Sequence, residues 1–106
     1  MYDKNNIFAR ILRSEIASKK VYEDDKILSF YDINPKARVH VLVIPKGEYI
    51  NFTDFVSRSN DVESFFKCVK HIAEDILGLK DFRLITNNGK GAGQEVPHFH
   101  IHILGT

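Results

Sequence analysis

The chain has 106 residues, 43% of them hydrophobic and 27% charged, a composition that fits one globular domain and excludes a disordered tract. Fifteen basic residues against fourteen acidic ones leave a net charge of +1, so no global field favours nucleic acid or an anionic membrane, and any phosphate recognition must be local. One cysteine allows no internal disulfide, and no apolar run suffices for a signal peptide or a membrane span; the expectation is a soluble protein of the reducing cytoplasm.

In chain order, "NNIFARILRSEI" places Phe8, Ile11 and Leu12 at helical spacing, which predicts a short amphipathic helix of two or three turns. "VYEDD" and "KILSFYD" read as a hairpin, with Asp24 and Asp25 in the turn. "INPKAR" breaks the pattern at Asn34 and Pro35, and "VHVLVIP" follows as a β-branched strand that stops at Pro45 and Gly47. The longest periodic segment, "DVESFFKCVKHIAEDIL", aligns Val62, Phe65, Phe66, Val69, Ile72, Ala73, Ile76 and Leu77 on one stripe. Asn60 is its expected N-cap, Glu63 its capping-box partner, and Gly78 its left-handed stop. Cys68 falls on this helix and reads as a small buried apolar residue; His71 lies off the stripe and reads as solvated. "DFRLITN" is a further strand, "NGKGAGQEVP" a glycine-rich loop and "HFHIHIL" the last strand. This order predicts an α+β fold, one domain over residues 1–106 around a mainly antiparallel sheet.

The last strand carries the chemistry. Alternation puts His98, His100 and His102 on one face and Phe99, Ile101 and Ile103 on the other. Metal binding by two of the row is one reading, although same-face residues stand ~6.6 Å apart and three parallel rings converge poorly on one ion. Solvated histidines on an exposed face are a second. Chemistry at phosphorus is the third, since a neutral imidazole is a competent nucleophile near pH 7 and its neighbours can donate to phosphate oxygens. Gly89, Gly91 and Gly93 in the preceding loop would let backbone amides approach an anion. That loop is neither a Walker A loop nor a dinucleotide fingerprint, because it runs into a strand and not a helix. Asp32 sits at a strand end, where a turn-capping role and a hydroxyl-binding role are both open. His40 lies inside a strand and needs a polar partner.

"GQEVPHFHIHILG" resembles the histidine triad signature, and "IFARILRSEI", "FYDINPKARVHVLVIPK" and the long helix agree with that family in order and spacing. The similarity covers nearly the whole chain. Gly105 stands where the dinucleoside polyphosphate hydrolase branch commonly has proline, so the chain looks like the nucleotide-binding branch. The resemblance implies a five-stranded, mainly antiparallel sheet with one short and one long helix, joined in a homodimer into ten strands. It implies hydrolysis of nucleoside phosphoramidates or related adenylates at the α-phosphorus, with no cofactor. Carried onto this sequence, His100 is the nucleophile, His102 contacts phosphate oxygens, and His98 and His40 form a polar relay beside them. Asp32 binds the ribose hydroxyls; Ile33, Phe8, Ile11 and Phe30 form the base pocket; Asn87, Gly93, Gln94, Glu95 and Val96 line the phosphate end. The implied partner is a purine nucleotide or nucleotide conjugate, not nucleic acid or membrane. Asn6, Ala9 and Glu48 replace the Cys-x-x-Cys and histidine that hold zinc in many bacterial relatives, so no structural zinc is expected. Glu95 replaces a serine that assists the leaving group in some relatives, and the chain stops at Thr106, short of the tail that in others crosses the dimer. A regulatory nucleotide-binding module and a dinucleoside polyphosphate hydrolase are the alternatives.

Overall fold

The computed structural model describes residues 1–106. Helix α1 (Ile7–Leu12) starts where the Asn6 side chain accepts the Ala9 N–H at 2.9 Å. It is shorter than the spacing predicts, because Ser14 turns left-handed at φ 62° and closes the helix through Ser14 N–H to Ile11 O and Glu15 N–H to Arg10 O. The hairpin of β1 (Lys20–Glu23) and β2 (Ile27–Tyr31) follows as expected, and Asp24 Oδ1 holds its turn by accepting the Lys26 and Ile27 N–H groups at 2.8 and 2.9 Å.

Strand β3 (Val39–Pro45) sits at the centre of a five-stranded sheet, flanked by β2 and by β5 (Ile101–Gly105), with β4 (Phe82–Ile85) outermost; every pairing is antiparallel. Its alternation decides what covers each face. Val41 and Val43 meet Ile101, Ile103 and Phe99 under the later helices, whereas Leu42 and Ile44 join Phe8, Leu28 and Phe30 under α1. A strand buried on both faces explains why "VHVLVIP" is apolar almost throughout. His40 shares the α1 face with Leu42, and its register partner is Leu104, while Leu42 pairs with His102. The two histidines are thereby brought side by side.

Three sequence expectations change. "FTDFVSR" forms α2 (Phe52–Arg58), which was not predicted; it is seven residues long, too short for a clear period, and begins where Asn51 accepts the Asp54 N–H at 2.9 Å. The long helix α3 (Val62–His71) is capped at Asp61 and not Asn60, and the capping box does not form. Asp61 instead pairs with Lys26 at 2.9 Å, and Glu63 with Lys67 at 2.7 Å. The end of the helix widens into a π-turn over Ile72–Ile76 before Gly78 stops it at φ 67°. The wider turn shifts the phase of the stripe, and Ile76 is left 42% exposed. Cys68 is half-buried, and burial pushes its thiol up. No helix is long and apolar enough to cross a membrane.

The third change bears on the histidines. The final strand begins at Ile101, so His98, Phe99 and His100 lie in an irregular segment ahead of it. Pro97 has no N–H to offer a ladder, and the Phe99 N–H goes to Tyr49 O at 2.7 Å, outside the sheet. The ladder therefore begins only at Ile101, yet the alternation of faces persists: Phe99 packs in the same core as Ile101 and Ile103, and His100 shares the cavity wall with His102.

Candidate active site

On the α1 face, the sheet and the loops beside it enclose a cavity of about 500 Å³. Helix α1 supplies Ile7, Phe8 and Ile11; the end of β2 and its turn supply Phe30, Asp32 and Ile33; β3 and β5 supply His40 and His102; the glycine-rich loop supplies Asn87, Gly93, Glu95 and Val96. His100 completes the wall. Of the residues the sequence singled out, His98, Gln94 and the loop glycines Gly89 and Gly91 stand outside this lining. Ile7, Tyr31, Lys36, Leu42, Ile85 and Leu104 also line it and were missed. Ile7 precedes Ile11 by four positions, so helical spacing is the signal that could have found it.

Hydrogen bonds to main-chain groups fix where the ring protons sit. His98 Nε2 is 2.7 Å from the Pro45 carbonyl, an obligatory acceptor, so that nitrogen carries the proton and Nδ1 accepts the Tyr2 hydroxyl at 2.6 Å. His100 Nδ1 is 2.7 Å from the His98 carbonyl and must donate to it, which leaves the lone pair on Nε2. The Lys36 N–H donates to His40 Nδ1 at 3.0 Å. His40 Nε2–H then donates to His102 Nδ1 at 2.9 Å, and His102 is left with an outward Nε2–H. One ring thus offers a nucleophilic lone pair and its neighbour, with ring centroids 5.0 Å apart, a hydrogen-bond donor. His98 differs from the expected side-chain relay: it is 0% exposed and reaches His100 through its backbone carbonyl.

Burial favours the neutral form of His98, His100 and His102. It pushes His98 and His102 down to about 4 and lowers His100 as well, with the neighbouring histidines adding to the effect on His102. For His98 the consequence for stability has a definite sign. The unfolded chain takes up a proton near the ordinary value of 6.5 and the folded chain only near 4, so the full contribution is present above 6.5 and is lost as pH falls toward 4. A shift of this size corresponds to about 3 kcal/mol. Urea unfolding at pH steps from 7 to about 4 is expected to show that decline, and a flat profile would refute the buried neutral assignment.

Asp32 satisfies part of both readings. Its Oδ1 accepts the Asn34 N–H at 2.8 Å and so caps the turn, and its Oδ2 stands 3.4 Å from His40 Nε2 on the cavity side. The glycine loop departs from the expected amide cradle. Gly89 and Gly93 are left-handed, at φ 96° and 90°, but the Gly89, Ala92, Gly93 and Gln94 N–H groups all bond within the loop. Gln94 is turned inward: its Oε1 accepts from Gly89 and its Nε2 donates to Ile50 and Val96 carbonyls at 2.7 and 3.0 Å. Gln94 therefore shapes the loop from outside the cavity. The N–H groups of Glu95 and Val96, two residues of the lining, have no acceptor in the protein.

Asp32, His40 and His102 bring three potential metal-ligand atoms within 4.8 Å of one another. A ligating imidazole normally donates its second N–H outward. The second nitrogen of His40 instead accepts from Lys36 N–H, so metal at Nε2 would require an imidazolate. The donor set suits proton placement better than a cation.

Residues 13–106 match the family model described as HIT domain. An uncharacterized HIT-like protein of Rickettsia prowazekii is 45% identical over 108 aligned positions, covering 99% of this chain and 90% of that one. Among solved structures, a HIT family hydrolase from Clostridium thermocellum is similar at TM-score 0.88 and 41% identity, covering 98% of this chain and 92% of its own. A hypothetical histidine triad nucleotide-binding protein from Sulfolobus tokodaii is similar at TM-score 0.83 and 34% identity, covering 93% and 67%. Because sequence and backbone agree over almost the full length, the chain belongs to the HIT domain family.

Proposed function

We propose that the protein is a nucleotide-binding hydrolase that cleaves the P–N or P–O bond at the α-phosphorus of purine nucleoside phosphoramidates or related adenylates. The observation that carries this reading is His100, anchored by Nδ1–H on a backbone carbonyl with its Nε2 lone pair free in the cavity wall. In the first half-reaction, Nε2 forms a bond to phosphorus as the bond to the leaving nitrogen or oxygen breaks, and the leaving group takes up one proton from solvent. The positive charge left on the nucleotidyl-imidazole is stabilised by the His98 carbonyl at Nδ1–H. In the second half, water attacks phosphorus, the P–N bond to His100 breaks, and water returns a proton to solvent. Phosphate oxygens receive hydrogen bonds from His102 Nε2–H, the Asn87 side chain and the Glu95 and Val96 amides. The base lies between apolar residues, of which Ile33 is 90% exposed and has little other reason to be so. Asp32 holds the ribose hydroxyls. The similar Clostridium thermocellum protein is named a hydrolase and the Sulfolobus tokodaii protein nucleotide-binding, which supports the class.

The enzyme acts as a homodimer in this reading. Strand β4 has a neighbour on one side only, Leu84 on it is 47% exposed, and Phe52 and Val56 of α2 are exposed as well. Light scattering is expected to give twice the chain mass. For the chemistry, an adenosine phosphoramidate mixed with protein and quenched early is expected to leave adenylate on His100, read by mass spectrometry. Nucleotide affinity without adduct or turnover would indicate a binding module instead.

A further inference from the structure

The N-terminal segment reaches behind the histidine row. Asn6 is buried and tied to Asp3 O by its own N–H and side chain, and Arg13 donates to Lys4 O at 2.7 Å. This strap sets Tyr2 edge-on to His98, with ring centroids 5.6 Å apart, and Phe8 edge-on to both His98 and His100. His98 has no solvent contact, so its two ring nitrogens depend wholly on the protein: Pro45 O takes one proton and the Tyr2 hydroxyl fills the other lone pair. The structure holds no buried side-chain polar atom without a partner. Removing the Tyr2 hydroxyl would create one, His98 Nδ1, directly behind the wall of the site. Burial pushes the Tyr2 phenol up, so the hydroxyl stays a donor.

We infer that Tyr2 is a positioning residue for the His100 nucleophile: its hydroxyl bolts the buried His98 ring, and with it the His98 carbonyl that holds His100 Nδ1–H. The inference rests on the reading of His100 as nucleophile. Tyr2 does not line the cavity, so its effect passes through His98 and not through contact with ligand. A carbonyl displaced by about 1 Å leaves hydrogen-bond range and no longer selects one tautomer of His100, and the share of rings with a free Nε2 lone pair falls. Misplacement on this scale is known to slow reactions by large factors even when binding persists.

The test compares wild type with Tyr2→Phe in the full chain. The expected results are an about tenfold slower single-turnover transfer of adenylate to His100, AMP affinity within about twofold, and imidazole ¹⁵N shifts at His100 that move toward mixed tautomers. Unchanged transfer rate and unchanged His100 shifts, even with a lower melting temperature, would reduce Tyr2 to structural glue and overturn the inference. If wild type forms no adduct at all, the enzymatic reading fails, and the His100 ¹⁵N shifts still decide the positioning role. Should Tyr2→Phe not fold, the wild-type spectrum alone decides: a slowly exchanging Tyr2 hydroxyl proton coupled to His98 Nδ1 is expected, and its absence in a folded protein counts against the bolt.

Discussion

Replacing His100 by alanine is expected to lower turnover of an adenosine phosphoramidate by about four orders of magnitude while AMP affinity changes only a few-fold. The asymmetry follows from geometry. In the proposed reaction the lone pair on Nε2 would be used in bond making, whereas base and ribose would be held by Ile33, Ile11 and Asp32, cavity-lining residues on other elements. No second ring can take over. His98 is sealed behind Tyr2 with both nitrogens occupied, and His102 presents a proton where a nucleophile needs a lone pair. Steady-state kinetics with calorimetric AMP binding checks both halves. An alanine variant that kept more than a few per cent of the rate would rule out a covalent His100 intermediate.

Phe99→Ala is expected to cost about 3–5 kcal/mol, a large share of the 5–15 kcal/mol typical of a domain this size. Phe99 is 1% exposed and stacks on Phe55 with centroids 4.6 Å apart and planes 14° from parallel, with Phe65 at 5.4 Å. It also sits between His98 and His100 in the irregular stretch before β5, where no sheet ladder would hold the backbone once the ring is gone. Phe99→Leu keeps much of the volume and is expected to lose less, so urea midpoints should fall in the order wild type, leucine, alanine. Equal midpoints for wild type and alanine would show that this cluster does not anchor the triad.

Much of the scaffold was legible because periodicity and turn chemistry are local. The stripe from Val62 to Ala73 and the strand around Val41 and Val43 predicted burial correctly, and alternation correctly separated Ile101 and Ile103 from His102. Helix α2 was not legible, since seven residues carry too little period against polar neighbours. The detailed wiring of the candidate site was beyond reach for a different reason. Tyr2 meets His98 across 96 positions of sequence, and no residue type at either end announces the pairing. Gln94 looked like a ligand-facing amide because the loop's own needs at Gly89 and Ile50 arise only in three dimensions. The π-turn after His71 likewise depends on packing that a 3.6-residue period cannot encode.

The placement of protons among the histidines depends on Lys36 N–H, Pro45 O and His98 O, all of them groups that almost any amino acid would provide. Side-chain identity at position 36 is therefore free to drift without disturbing which nitrogen of His40 or His102 carries hydrogen. Proline at 36 is the exception, because it alone lacks the amide. The course of the main chain, more than the letters along it, stores that part of the chemistry.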